Sequence, residues 1–585
     1  MDNYFDQGHR LDYGSLLYPE YGYKLSFAIG CTYSLDFEAL LSVPIYLGAV
    51  EQPGSGDINN PFLILESIRR STDKIALFCN CDGIKMMRNV QSVYALLENS
   101  VFPINLGDGK NFHPKLWVIR YESLNNEPDI IKVIILSRNL TFDRSMDLAV
   151  ELKGEVKGRI RRQSKQQPIS DLLNYLVETC DVKDKAEKIK SLADDLLRID
   201  SFAIDNDFSD YSFLVTGIPD HGNDAKEICS PCRRIMIVSP FLSKTVVSNL
   251  VKECSWFEKN QMLNRVLISR ISSVTPDIFN MFDEVYVPTE GLEDNSVLQE
   301  IDEEPKRDLH AKVIFKDTYT ENAIYIGSFN TTSNARDRNI EIMVKFTYKP
   351  YKASLRILKE QFIDNTYPAF QRLYSPSAVE GDEESEEMSY FSDIVSSVID
   401  ANVQLDENGS YSTKVHFSKD IADVFVLPLY LNGKRAFQHA AGEIIFDHMT
   451  LQDLSELFIV KRNDEVRIIK INVDDMPVDE RNDAIIHQII DSKPKLLQFI
   501  LYLLSDDPEL ATLEIGQLLK SSSDGANKDD ERLITPSIYE KMLLAAARSP
   551  EKIKAIKDII THVEEDKVDK EFSTLVSCFD NIIGE

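Results

Sequence analysis

One arrangement of residues occurs twice in this 585-residue chain. The first copy runs His113-Pro114-Lys115, an apolar run, Ser137-Arg138-Asn139, then Asp147 and Glu151. The second runs His310-Ala311-Lys312, Asp317, an apolar run, Gly327-Ser328-Phe329-Asn330, then Glu341. A lone His-x-Lys triplet is cheap in a chain with nine histidines, but here two of the nine carry one, each followed by a strand-like run and a Ser-x-Asn. The copies stand about 200 residues apart, enough for a domain-sized unit each. The chain is expected to build two similar units and bring them together.

The surroundings of both copies fit that expectation. In 1–165, Lys74–Asn80, His113–Arg120 and Ile130–Ser137 read as strands and Val90–Leu97 as a helix, which points to a mixed, largely parallel sheet covered by helices. Ser170–Glu178 and Asp184–Leu197 read as two helices of a connector over 166–200. In 201–375 strands are expected at Arg234–Ser239, Arg265–Ser269, Glu284–Val287, Ala311–Phe315 and Ala323–Gly327, with a helix at Lys244–Lys252. The fold class expected is α/β: two α/β halves related by a pseudo-twofold axis, followed by a C-terminal α+β and helical region.

Charge marks where that region begins. The chain carries a net charge of −30, and from Pro376 onward 42 acidic residues face only 21 basic ones. An acidic linker is expected over 376–390, a β-rich accessory domain over 391–478 and a helical one over 479–585, with a polar break at Ser521–Arg532. This balance argues against a general polyanion binder but allows a local basic groove. No run reaches the ~18 apolar residues of a membrane helix, the N-terminus lacks the pattern of a signal peptide, and eight cysteines do not make a disulfide framework. A cytoplasmic protein is expected.

His and Lys two apart on a strand face the same way. If the two units pack about a pseudo-twofold axis, two His, two Lys and two Asn converge. That set suits phosphodiester cleavage. One imidazole attacks phosphorus, the other protonates the leaving oxygen and then activates water, and the Lys and Asn side chains donate to the remaining oxygens. An acid behind each His would fix its tautomer. The scheme calls for no metal or cofactor.

The second copy, HAKVIFKD…YIGSFN…NIE, resembles the HxKxxxxD…GSxN motif of the phospholipase D superfamily. The first, HPKLWVIR…LSRNLTFDRSMD, is looser: Arg120 stands at the motif's Asp and Leu136 at its Gly, as in the Asp-less motifs of tyrosyl-DNA phosphodiesterases. The resemblance covers about Tyr21 to Phe370. It implies two phospholipase D-like halves sharing one active site and metal-independent phosphoryl transfer through a phosphohistidine. The catalytic set it implies is His113, Lys115, Asn139, His310, Lys312 and Asn330, with Ser328 beside them. Glu341 would orient His310, Asp147 or Glu151 would orient His113, and Asp317 would make a structural ion pair. His113 is the implied nucleophile.

The superfamily includes lipases, lipid synthases and nucleases. Nucleic acid, DNA before RNA, is favoured here by a basic run, Lys153, Lys157, Arg159, Arg161, Arg162 and Lys165, that could track a backbone. Trp117 and Phe112 beside the first motif could stack a base, and Ser137 could contact substrate. No basic amphipathic helix suggests a membrane partner. Large chains resembling this one include nucleases that work beside a helicase or ATPase in DNA processing or defence, so such a partner is a further expectation. The alternatives are a phospholipase or phosphatidyltransferase, and a non-catalytic adaptor acting through its C-terminal third. Cys229-x-x-Cys232 lacks the second ligand pair of a zinc site.

Overall fold

Each motif copy sits at the end of its own sheet, and the two sheets repeat one topology. In the computed structural model the described residues are 13–48, 61–87, 89–141, 145–160, 164–254, 263–289, 309–318, 320–349, 352–363, 369–376, 391–490, 492–504, 536–548, 550–561, 568 and 570–584. All but Pro376 of the acidic linker expected over 376–390, the polar break at Ser521–Arg532, and Arg161 and Arg162 lie outside them.

The strands of the first half are β1 (Tyr23–Cys31), β2 (Ile75–Asn80), β3 (Val101–Ile104), β4 (Leu116–Ser123), β5 (Ile130–Leu136) and β6 (Ala149–Glu155). Those of the second are β7 (Phe208–Thr216), β8 (Arg234–Val238), β9 (Arg265–Ile268), β10 (Glu284–Pro288), β11 (Val313–Asp317), β12 (Asn322–Gly327), β13 (Glu341–Tyr348) and β14 (Phe370–Leu373). The first sheet is ordered β3-β2-β1-β4-β5-β6 and the second β14-β10-β9-β8-β11-β12-β13-β7. The core order of the second is therefore the first over again, with β14 and β7 added at its edges.

Contrary to the expectation for the first half, neither sheet is largely parallel. β1, β2 and β3 run parallel, as do β8, β9 and β10, but β4–β6 and β11–β13 join antiparallel. The six residues between β4 and β5, and the four between β11 and β12, are too few for a parallel crossover. The run expected as a helix near Val90–Leu97 forms 3-10 turns over Ser92–Ser100.

Strand alternation divides the apolar residues between two faces. Ile29, Val118 and Val133 of the first sheet meet Met236, Val313 and Ile342 of the second in one shared core. The helices at Gln167–Val177 and Lys183–Leu196 close its side. On the outer face of the second sheet, Ile237, Leu267 and Ile314 pack under the helix Lys244–Val251, where Cys229 and Cys232 are also buried. On the outer face of the first, Leu77, Trp117 and Ile134 pack with Leu429, Tyr430, Leu457, Ile468 and Ile485 of the C-terminal third. That third holds a three-stranded and a four-stranded sheet, then helices with a core of their own. Among the described residues no helix is long and apolar enough to cross a membrane.

Candidate active site

His113 and Lys115 precede β4 rather than lying on it, and His310 and Lys312 precede β11 in the same way. Both histidines are fixed by the opposite half. The His113 N–H donates to the Ile340 carbonyl (3.0 Å), and the His310 N–H donates to the Met146 carbonyl (3.0 Å). These reciprocal bonds sit on matching isolated bridges, Phe112 with Ile340 and Leu309 with Met146. They are the pseudo-twofold relation written in backbone hydrogen bonds.

The repeat continues through the asparagine loops. The Leu136 N–H donates to Lys115 O (2.9 Å), and that of Gly327 to Lys312 O (3.4 Å). Ser137 Oγ accepts from Leu148 N–H (2.8 Å), and Ser328 Oγ from Ile342 N–H (3.0 Å). Leu140 N–H reaches Thr32 Oγ1 (3.0 Å), and Thr331 N–H reaches Ser239 Oγ (3.1 Å). A side chain at Gly327 would collide with the Ile342 carbonyl, which explains glycine in this copy.

His113, Lys115, Asn139, His310, Lys312 and Asn330 line one pocket of about 210 Å³. Ser137, Tyr33, Ser34 and Phe241 complete its wall. The last three went unnoticed in the sequence. They follow the first strand of the parallel run in each half, so the matching segments Cys31–Ser34 and Val238–Phe241 were the available signal. Asn139 Oδ1 accepts from the Ser34 N–H (3.3 Å), and the Tyr33 ring lies 5.2 Å from that of His113.

The acids differ from expectation. Glu341 pairs with His113 rather than His310: its Oε2 lies 2.8 Å from His113 Nδ1. Ile340, which receives the His113 backbone, immediately precedes it, so the interface crossing carries the acid with it. Ser328 is fully buried and donates to the same oxygen (2.5 Å), while Asn339 Nδ2 donates to Oε1 (3.2 Å), so Ser328 holds Glu341 and does not line the pocket. Burial pushes the Glu341 carboxyl up to about 8, against the opposing pull of Lys115. Asp147, next after Met146, is the first-half counterpart of Glu341. It therefore stands on the His310 side rather than the His113 side, with its carboxylate 3.5 Å from Arg138 Nη1. Glu151 is exposed on β6, paired with Lys132 (3.3 Å), and reaches neither histidine.

Two buried ammonium groups give the pocket its charge. Lys115 Nζ lies 2.8 Å from His113 Nε2, and Lys312 Nζ donates to His310 O (2.7 Å). With two lysines and two asparagines lining it, the pocket favours an anion.

The remaining candidates fall elsewhere. Trp117 is buried on the outer face of the first sheet, its Nε1 donating to Tyr13 Oη (2.6 Å), and Phe112 is buried in the shared core, so neither offers a stacking surface. In the basic run, Lys153 pairs with Glu20 (2.6 Å), Lys157 with Glu155 and Lys165 with Asp210, and Arg159 is exposed. Three of its cations thus already face carboxylates. Asp317 is held by Arg233 (2.5 Å) and Arg234 (3.2 Å). Arg120, seven residues past His113 as Asp317 is past His310, is held by Asp195 (2.5 Å) and Asp129 (2.7 Å). The ion pair is kept with its charges exchanged, so the Asp-to-Arg departure leaves the first half braced.

No family model and no curated protein matches the chain. Among solved structures it is similar to a phosphatidylserine synthase from Haemophilus influenzae Rd KW20 (10% identity over 65% of this chain and 90% of that one, TM-score 0.34). It is also similar to a yeast tyrosyl-DNA phosphodiesterase variant (13%, 58% and 85%, TM-score 0.32). A third is Nuc, a phospholipase D family member from Salmonella typhimurium (18%, 28% and 100%, TM-score 0.19). Two α/β halves with both His-x-Lys and Asn sets facing one pocket is the arrangement that the resemblance to the phospholipase D superfamily implied.

Proposed function

We propose that this protein is a metal-independent phosphodiesterase that acts through a covalent histidine intermediate. The observation that carries the reading is the contact of His113 with Glu341 and Lys115 inside a pocket that also holds His310, Lys312 and both asparagines. With Nδ1–H directed at Glu341, the Nε2 lone pair points to Lys115 and is available to phosphorus once substrate displaces that ammonium.

His113 Nε2 forms the P–N bond as the P–O bond to the leaving group breaks. His310 gives its proton to the leaving oxygen. A water then attacks phosphorus, its proton passes to His310, and the P–N bond breaks to free His113. Lys115, Lys312, Asn139 and Asn330 donate to the non-bridging oxygens throughout. As the His113 ring becomes cationic, Glu341 keeps Nδ1–H in place and stabilises the positive charge.

The test is trapping. H310A protein mixed with end-labelled oligonucleotide should accumulate an acid-labile, base-stable adduct on His113, and H113A protein should form none. Absence of any adduct both in H310A and, under rapid quench, in the unmodified protein while it turns over would refute the covalent step.

A further inference from the structure

The two halves differ on the pocket wall where Phe241 stands, and the difference is chemical. The pairings above make Phe241 the counterpart of Ser34, and Arg270 the counterpart of Asn80. In the first half Asn80 is buried and serves the structure: its Oδ1 accepts from Phe112 N–H (2.8 Å), and its Nδ2 donates to Asp82 (2.5 Å). In the second half both side chains are partly exposed, and the Arg270 guanidinium lies over the Phe241 ring, 4.5 Å from its centroid. At this position the pseudo-twofold is thus broken: Phe241 on the wall with the Arg270 cation over it in the second half, against Ser34 and an Asn80–Asp82 pair in the first, whose own wall aromatic, Tyr33, lies against His113.

We infer that Phe241 and Arg270 form a subsite for the nucleotide flanking the scissile phosphate on the second-half side, with Phe241 stacking the base and Arg270 pairing with the adjacent phosphate. The inference rests on the phosphodiesterase reading and adds to it the substrate class, a single-stranded nucleic acid, and the side on which the strand leaves. An unpaired strand is required because a base within a duplex has no face free to stack on Phe241.

The subsite is rigid and tied to the reacting centre. Ser269 Oγ donates to Ser239 O (2.7 Å), Ser273 Oγ to Pro240 O (2.7 Å) and Ser239 Oγ to Phe241 O (2.7 Å). The same Ser239 Oγ takes the N–H of Thr331, next to Asn330 (3.1 Å). The loop carrying Phe241 and the turn carrying Arg270 are braced against each other and against the asparagine that faces the phosphate.

Binding separates this claim from catalysis. A fluorescein-labelled single-stranded DNA 12-mer is titrated into H310A, H310A/R270Q and H310A/F241L proteins, each checked for an unchanged melting temperature. Both double variants should bind roughly 5- to 100-fold more weakly. R270Q should also flatten the slope of log affinity against log salt by about 0.7, one phosphate contact. Affinities within about twofold of H310A, or no binding by H310A itself, would overturn the subsite. Hydrolysis of bis(p-nitrophenyl) phosphate by H310A at the unmodified rate would instead overturn the phosphodiesterase reading, and the binding result would still decide the subsite.

Discussion

Glu341 belongs to the second half of the chain, yet its carboxyl is bonded to His113 of the first at 2.8 Å. Neither half therefore contains a complete acid–histidine pair for His113. The catalytic constellation exists only once the two sheets have packed, so the shared core between them is a condition of activity as well as of stability.

The Glu341 carboxyl is buried with its pKa raised from 4.5 to about 8. A raised carboxyl leaves the folded state at no disadvantage below the unfolded value. A penalty then accrues as pH rises and is complete above the folded value, up to ~1.4 kcal/mol for each pH unit in that window. The E341Q variant escapes it. Its melting temperature relative to the unmodified protein should therefore climb between about pH 5 and pH 8, while its turnover falls. A difference that stays constant across that range would contradict the assignment.

The exchanged ion pair gives a second prediction. Burial already raises the Asp195 carboxyl, against the opposing pull of Arg120. R120A leaves Asp195 without its main cation and should cost about 1–3 kcal/mol by urea unfolding at neutral pH. The loss should shrink at acid pH, where the carboxyl, already raised by burial, takes up a proton. Equal losses at both pH values would show that packing, rather than charge, accounts for the effect.

The sequence carried the pocket's reacting groups because their spacing repeats, and the six residues read from that spacing do meet. It misdirected the acids, since Asp147, Glu151 and Glu341 were matched to the nearer histidine along the chain. The pairing is set by the interface crossing of Phe112 with Ile340 and Leu309 with Met146, which has no local signature. Trp117 and Phe112 misled for another reason. Composition reports residue type, whereas burial decides what those side chains can touch. The β-strands were legible from their Val and Ile runs, but the direction of β4–β6 had to be read from connection length.

The C-terminal third is fastened to the first half by a buried ion pair. Arg481 Nη1 donates to Glu98 Oε2 (2.6 Å), both side chains are almost wholly inaccessible, and Ser455 Oγ donates to Glu98 Oε1 (2.8 Å). R481M should cost about 3–5 kcal/mol, because it strands the Glu98 carboxylate, and E98Q/R481M should recover part of that loss. Removal of 391–585 should lower solubility by uncovering the outer face of the first sheet. A truncated protein with unaltered melting temperature would contradict this attachment.

The central claim is a single composite site in which both histidines serve one phosphodiester reaction. Its most direct test is turnover of labelled single-stranded DNA, duplex DNA, RNA and bis(p-nitrophenyl) phosphate in excess EDTA by unmodified, H113A and H310A proteins. The account predicts turnover that survives EDTA and falls by about 10³-fold or more in each variant. Near-normal turnover in both variants would contradict it.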